Sequence, residues 1–119
     1  MAEPVTYLEV HSPDLARSRE FFVAVFGWDP QPFAAPDYLV APANDQGIDT
    51  GLLPSRDGQA RAVPVIRVVS IDRTRQRLEQ RGGTVVVEPF TIAGVGRGCY
   101  VTDPTGVLLG LHEYDTATP

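Results

Sequence analysis

Two stretches of this chain, offset by 56 residues, carry the same succession of structural signals, which restricts the fold to architectures built from paired units. VTYLEV (5–10) alternates as a half-buried strand does, and VPVIRVV (63–69) is a β-branched run of similar length. A helix start follows each. Ser12 is placed to cap the first helix, Pro13 suits its first position, and Asp14 complements the positive end of the helix dipole. Leu15, Phe22 and Phe26 then fall at helical spacing until Gly27 stops the run. In the second half Ser70 and Asp72 open the helix, Ile71 and Leu78 form its apolar face, and Gly82-Gly83 ends it. The offset superposes Asp14 on Ser70, Leu15 on Ile71 and Gly27 on Gly83.

Shorter strand-like pieces follow each helix, at 38–41 and 48–53 in the first half and at 84–90, 97–102 and 107–114 in the second. The turn Asp103-Pro104-Thr105-Gly106 joins the last two. Residues 54–62 (PSRDGQARA) read as an exposed connection between the halves, and 30–36 leave room for one further strand. The glycines of AGVGRG (93–98) lack both a phosphate-loop lysine and a strand–loop–helix setting, so they read as a flexible loop before a strand. The expected order is strand–helix–strands, twice, with helices near 13–27 and 71–82.

A chain of 119 residues is long enough for one domain with its own core, without metal or disulfide staples. The single cysteine, Cys99, excludes a disulfide framework and reads as an inert buried thiol, suited to a reducing cytoplasm. A net charge of −5 speaks against nucleic acid or an anionic membrane as partner. No apolar run approaches the ~20 residues of a membrane span, and the first residues lack a secretory layout. A cytoplasmic protein is the expectation. All ten basic residues are arginine, which carries no functional reading.

YLEVHSPDLARSREFFVAVFGW (7–28) resembles the opening module of the glyoxalase/bleomycin-resistance/extradiol-dioxygenase superfamily, the vicinal oxygen chelate fold. RVVSIDRTRQRLEQRGGTVVVEPFTIAGVGRGCYVTDPTGVLLGL (67–111) resembles its second module, ending in Asp-Pro-x-Gly-x-x-x-Gly-Leu. The resemblance covers nearly the whole chain. It implies an α+β fold in which two βαβββ modules form a partly open, barrel-like mixed sheet around a cavity, with the helices outside. One such domain over 1–119 would hold module one at about 5–53, a linker at about 54–62 and module two at about 63–114. Small members commonly pair as homodimers.

The resemblance also implies where metal ligands would stand: a His seven residues before the helix-start Asp, a Glu seven residues after the Asp of Asp-Pro-x-Gly, and their equivalents in the other module. Here those positions hold Tyr7, Gly110, Val63 and, near the turn containing Gly47, Gly51. Val and Gly carry no donor, and a neutral Tyr is a poor ligand. No metal or other cofactor is therefore expected. A substitute set drawn from Glu9, His11, His112 and Glu113 would need a different register; the plainer reading leaves His11 at an exposed strand end and His112-Glu113 at a solvated terminus.

Alternation along the first strand sets Tyr7, Glu9 and His11 on one face, with Leu8 and Val10 toward the helix. The candidate ligand-binding residues are Tyr7, Glu9, Tyr38, Val65, Arg67, Tyr100 and Gly110. Glu9 and Arg67 are charged residues in apolar strands, either paired with one another or facing a ligand. The three tyrosines could equally pack in the core, and Trp28 reads as packing the helix end against the sheet. The leading expectation is a metal-free protein binding a small aromatic or amphipathic molecule. The alternative is an enzyme of the same fold, of lyase, isomerase or dioxygenase type, with an unusual metal site or Glu9 as general base. No catalytic residue is assigned.

Overall fold

A computed structural model describes residues 2–43 and 47–114. The elements are β1 (Val5–Ser12), α1 (Leu15–Phe26), β2 (Gln31–Phe33), β3 (Ala35–Ala41) and β4 (Asp49–Pro54), then β5 (Arg61–Arg67), α2 (Ile71–Gln80), β6 (Thr84–Ile92), β7 (Gly96–Thr102) and β8 (Leu108–Tyr114). This is an α+β fold with strand–helix–three strands occurring twice. Two compact units divide the described residues, one over 7–63 and one formed by 2–6 with 64–114, so the divisions fall inside β1 and β5.

In the 7–63 unit the strand order is β2-β3-β4-β1. β1 runs parallel to β4, with Tyr7 opposite Asp49, Glu9 opposite Gly51 and His11 opposite Leu53. β3 is antiparallel to β4 and brings Val40 opposite Gly51. The short β2, antiparallel to β3, occupies the stretch that the sequence left open at 30–36. Because side chains alternate across a strand, Tyr7, Glu9, Tyr38, Val40 and Gly51 share one face, and Leu39, Ala41 and Leu52 are buried on the other.

Asp14, rather than Ser12, caps α1: its side chain accepts the Arg17 N–H at 3.2 Å. Ser12 sits two residues earlier, its Oγ accepting the Asp14 N–H at 3.0 Å and bonding Ser18 Oγ at 2.6 Å. Pro13 thus precedes the cap instead of opening the helix. Gly27 ends α1 in the left-handed region (φ 71°), its N–H reaching the Val23 carbonyl at 3.1 Å. No α1 residue is fully buried; Phe21 and Phe26 are 54% and 56% exposed. Trp28 stacks on Phe22 with ring centroids 4.6 Å apart.

In the other unit the order is β5-β8-β7-β6, with β5 and β8 parallel and the remaining pairs antiparallel. Its core is Val68, Ile71, Cys99, Val101 and Leu111, with Ile66, Leu78, Val85 and Leu109 packed around it. Ser70 caps α2 through the Arg73 N–H, as the sequence signals, and Glu113 adds a second acceptor for the Ile71 N–H at 2.7 Å. The expectation of a solvated His112-Glu113 therefore fails for Glu113, which a helix terminus with unmatched N–H groups draws in. Residues 93–98 are a tight hairpin turn closed by Val95 N–H to Ile92 carbonyl at 2.9 Å, with β7 already under way at Gly96, not a flexible loop. The connection predicted at 54–62 shrinks to 55–60, since β4 extends through Pro54 and β5 begins at Arg61.

Candidate functional site

Period-two geometry on β1 aims Tyr7, Glu9 and His11 the same way, and β3 delivers Tyr38 beside them. The Glu9 carboxylate lies at the centre, 4% exposed. Its Oε1 is 2.9 Å from His11 Nε2, and its Oε2 accepts the Tyr38 hydroxyl at 2.8 Å. The Tyr38 and Tyr7 oxygens are 2.7 Å apart. With the carboxylate ionised, His11 Nε2 must carry the hydrogen in that contact. A buried carboxylate without such donors would cost several kcal/mol; hydrogen bonds to a charged group return about 1.5–3 kcal/mol each.

Gly51 makes room for this cluster. A Cβ on Gly51 would stand 2.5 Å from the Tyr7 hydroxyl and 2.7 Å from that of Tyr38, well inside contact distance. The tyrosine hydroxyls therefore fill the space from which a side chain at position 51 would project. Burial, then the Glu9 charge, pushes the Tyr38 hydroxyl far above the usual phenol range, so it stays protonated and remains a donor.

His11 is the residue that sequence reasoning placed wrongly. It is 1% exposed, not at an exposed strand end, because β1 runs on through Ser12 and the imidazole follows Glu9 into the interior. The charged pair expected of Glu9 is with His11, two residues along the same strand face. That i, i+2 spacing was available as a signal.

The other candidates lie apart from the Tyr7–Glu9–Tyr38 group. Arg67 places its guanidinium 4.3 Å from the centre of the Tyr114 ring, a cation–π contact. Tyr100 is buried, tilted against Phe90 at 6.1 Å. Val65 pairs with Gly110 across β5 and β8, and a Cβ on Gly110 would meet Val65 Cγ2 at 2.9 Å. Cys99 is buried, and burial pushes its thiol up, as an inert sulfur requires.

The family's metal can be tested against these surroundings, and the residues do not fit it. Val63 is fully buried and without a donor, Gly110 is closed over by Val65, and Gly51 faces two hydroxyls already bonded to each other. Both Glu9 oxygens hold internal partners. Among the described residues no three His, Cys, Asp or Glu side chains gather as a metal-binding group.

A separate open depression of about 680 Å³ runs along α1, lined by Val10, Ser12, Arg17, Phe21, Phe22 and Ala62 among others. Its polar groups are engaged locally: Ser12 with Ser18, Asp14 as helix cap, and Arg61 at its edge held at both nitrogens by Asp57 at 2.8 and 2.9 Å. The tyrosine–carboxylate face is the better chemical candidate. No helix among the described residues is long and apolar enough to cross a membrane.

Comparison with known proteins agrees with this geometry. Curated relatives include CFP32 of Mycobacterium bovis, which carries the glyoxylase name, 26% identical over 116 residues, covering 90% of this chain and 44% of that protein. They also include the anthracycline biosynthesis protein DauV of Streptomyces, 30% identical, covering 84% of this chain and 43% of the relative. The chain thus spans less than half the length of the curated relatives it matches. Among solved structures, the methylmalonyl-CoA epimerase of Mycobacterium tuberculosis shares the fold with a TM-score of 0.71 at 17% identity, covering 98% of this chain and 94% of that one. The profile of the Glyoxalase/Bleomycin resistance protein/Dioxygenase superfamily matches residues 5–111, nine-tenths of the sequence, and the chain belongs to that superfamily.

Proposed function

We propose that this chain is a metal-independent binding module for a small aromatic or amphipathic organic molecule, held on the face that carries Tyr7, Tyr38 and Glu9, and that it works as a homodimer. The observation that carries the reading is the exchange at Gly51: two half-buried tyrosines, bonded inward to a buried carboxylate, stand where a metal-binding side chain would need space. Aromatic rings with a polar tip suit recognition of a flat organic ligand better than coordination chemistry. Relatives named for anthracycline biosynthesis and for glyoxylase support a small organic ligand. An enzyme with Glu9 as general base finds less support, because both carboxylate oxygens already accept hydrogen bonds from within the protein.

The test is a thermal-shift screen of small aromatic compounds, run with and without Zn, Ni, Mn, Fe or Co. A ligand at 100 times its Kd stabilises by about 2.7 kcal/mol, and that shift should shrink in Tyr38→Phe. Metals should leave the melting temperature where it was. One equivalent of bound metal per chain, or a metal-dependent rise in Tm, would overturn the reading.

A further inference from the structure

The hydroxyl chain has a direction, and that direction constrains the ligand. A phenol carries one hydrogen and offers lone pairs otherwise, and an ionised carboxylate only accepts. Glu9 Oε2 takes the Tyr38 hydrogen at 2.8 Å. The 2.7 Å contact between the two tyrosine oxygens must then be made with the Tyr7 hydrogen. Every O–H in the chain points toward Glu9, so toward anything arriving from outside Tyr7 presents an acceptor. Polarised chains of this kind strengthen each link, which makes reversal of one hydroxyl costly. The inward end is held by His11, which commits the other Glu9 oxygen.

We propose that the site selects ligands that donate a hydrogen bond to the Tyr7 oxygen, a phenolic or alcoholic hydroxyl, and rejects carboxylates, phosphates and ethers at that point. This rests on the small-molecule reading above and adds the polarity of the contact to it. An ether or an anion would set oxygen lone pairs against oxygen lone pairs, leaving a desolvated acceptor unsatisfied. An anion also meets the field of Glu9 behind the two hydroxyls.

The inference is tested by titration calorimetry of the whole chain with three probes that share one ring system: 1-naphthol, 1-methoxynaphthalene and 1-naphthoate. Naphthol should bind about tenfold or more tighter than the other two. In Glu9→Gln the amide can donate to the Tyr38 oxygen, freeing each hydroxyl to turn outward, and the preference should move toward methoxynaphthalene and naphthoate. In Tyr7→Phe, checked for folding by circular dichroism, the advantage of naphthol over methoxynaphthalene should disappear; this variant carries the test should Glu9→Gln fail to fold. Naphthoate or methoxynaphthalene binding as tightly as naphthol, or a naphthol preference that survives Tyr7→Phe, overturns the donor rule while leaving small-molecule binding in place. No binding by any of the three overturns both.

Discussion

At the scale of single residues, Gly51 and Tyr7 make sense only together. Gly51→Ala should destabilise the fold by about 1–3 kcal/mol, the usual cost of forcing atoms into a filled space, measured by urea denaturation. The same substitution in a Tyr7→Phe background should cost less, because the nearer of the two clashing hydroxyls is gone. A zero coupling energy between the two positions would contradict the packing described. Tyr38 supplies a pH signature. Its hydroxyl ionises far above the ordinary value of 10.0, so the stabilisation it lends is whole below that pH and drains away as pH rises beyond it. Ultraviolet titration should therefore find Tyr38 silent until alkaline unfolding, and Tyr38→Phe should flatten the alkaline limb of the stability curve. A Tyr38 that titrates near 10 in the folded protein would refute its burial against Glu9.

At the scale of elements, turns and caps were mostly open to sequence reading because their chemistry is local. Ser70, Gly27, Gly82 and the Asp103 turn all stand where their residue types argue. Asp103 Oδ1 accepts from the Thr105 N–H, the Thr105 hydroxyl and the Val107 N–H at 2.8–2.9 Å, and these bonds, the Val107 one foremost, hold its carboxyl below the usual 3.8. The stabilisation is present above that value and lost as pH falls through the lowered one. Asp103→Asn should accordingly flatten the acid side of a denaturation-midpoint profile, and an unchanged acid limb would deny the turn that role. What the sequence hid was of another kind. β2 was masked by two prolines and has only three residues, too few for a period to show. Ser12 and Asp14 both satisfy the cap preference, and only the backbone decides between them. His11 looked like a strand end because Ser12 and Pro13 announced the helix, yet β1 extends to Ser12 before turning.

At the scale of the molecule, the two units use one topology for different ends. One holds a hydrogen-bonded polar cluster at its matching positions; the other fills Val65 and Gly110 with apolar contact. The repeat in the sequence announced the shared topology, but the difference depends on which strand faces which, a long-range fact. The outer side of α1, with Phe21, Val25 and Phe26 more than half exposed, is a large apolar surface for a chain of 12.9 kDa. Sedimentation at micromolar concentration should show a species of twice that mass, and Phe21→Glu with Phe26→Glu should shift it toward monomer. A wild-type chain that sediments only as a monomer would count against the homodimer.

The crowding at Gly51 also makes history hard to reverse. Placing a glutamate there, as a metal centre would ask, drives its first carbon into two hydroxyls. Removing those hydroxyls first deprives Glu9 of its Tyr38 donor and leaves a buried charge short of partners. Either order passes through a damaged intermediate, so a route back to a chelating ancestor or cousin requires three positions to change in concert. Metal dependence in this chain is walled off by epistasis, and directed evolution toward it should stall at single substitutions and advance only from libraries that vary positions 7, 38 and 51 together.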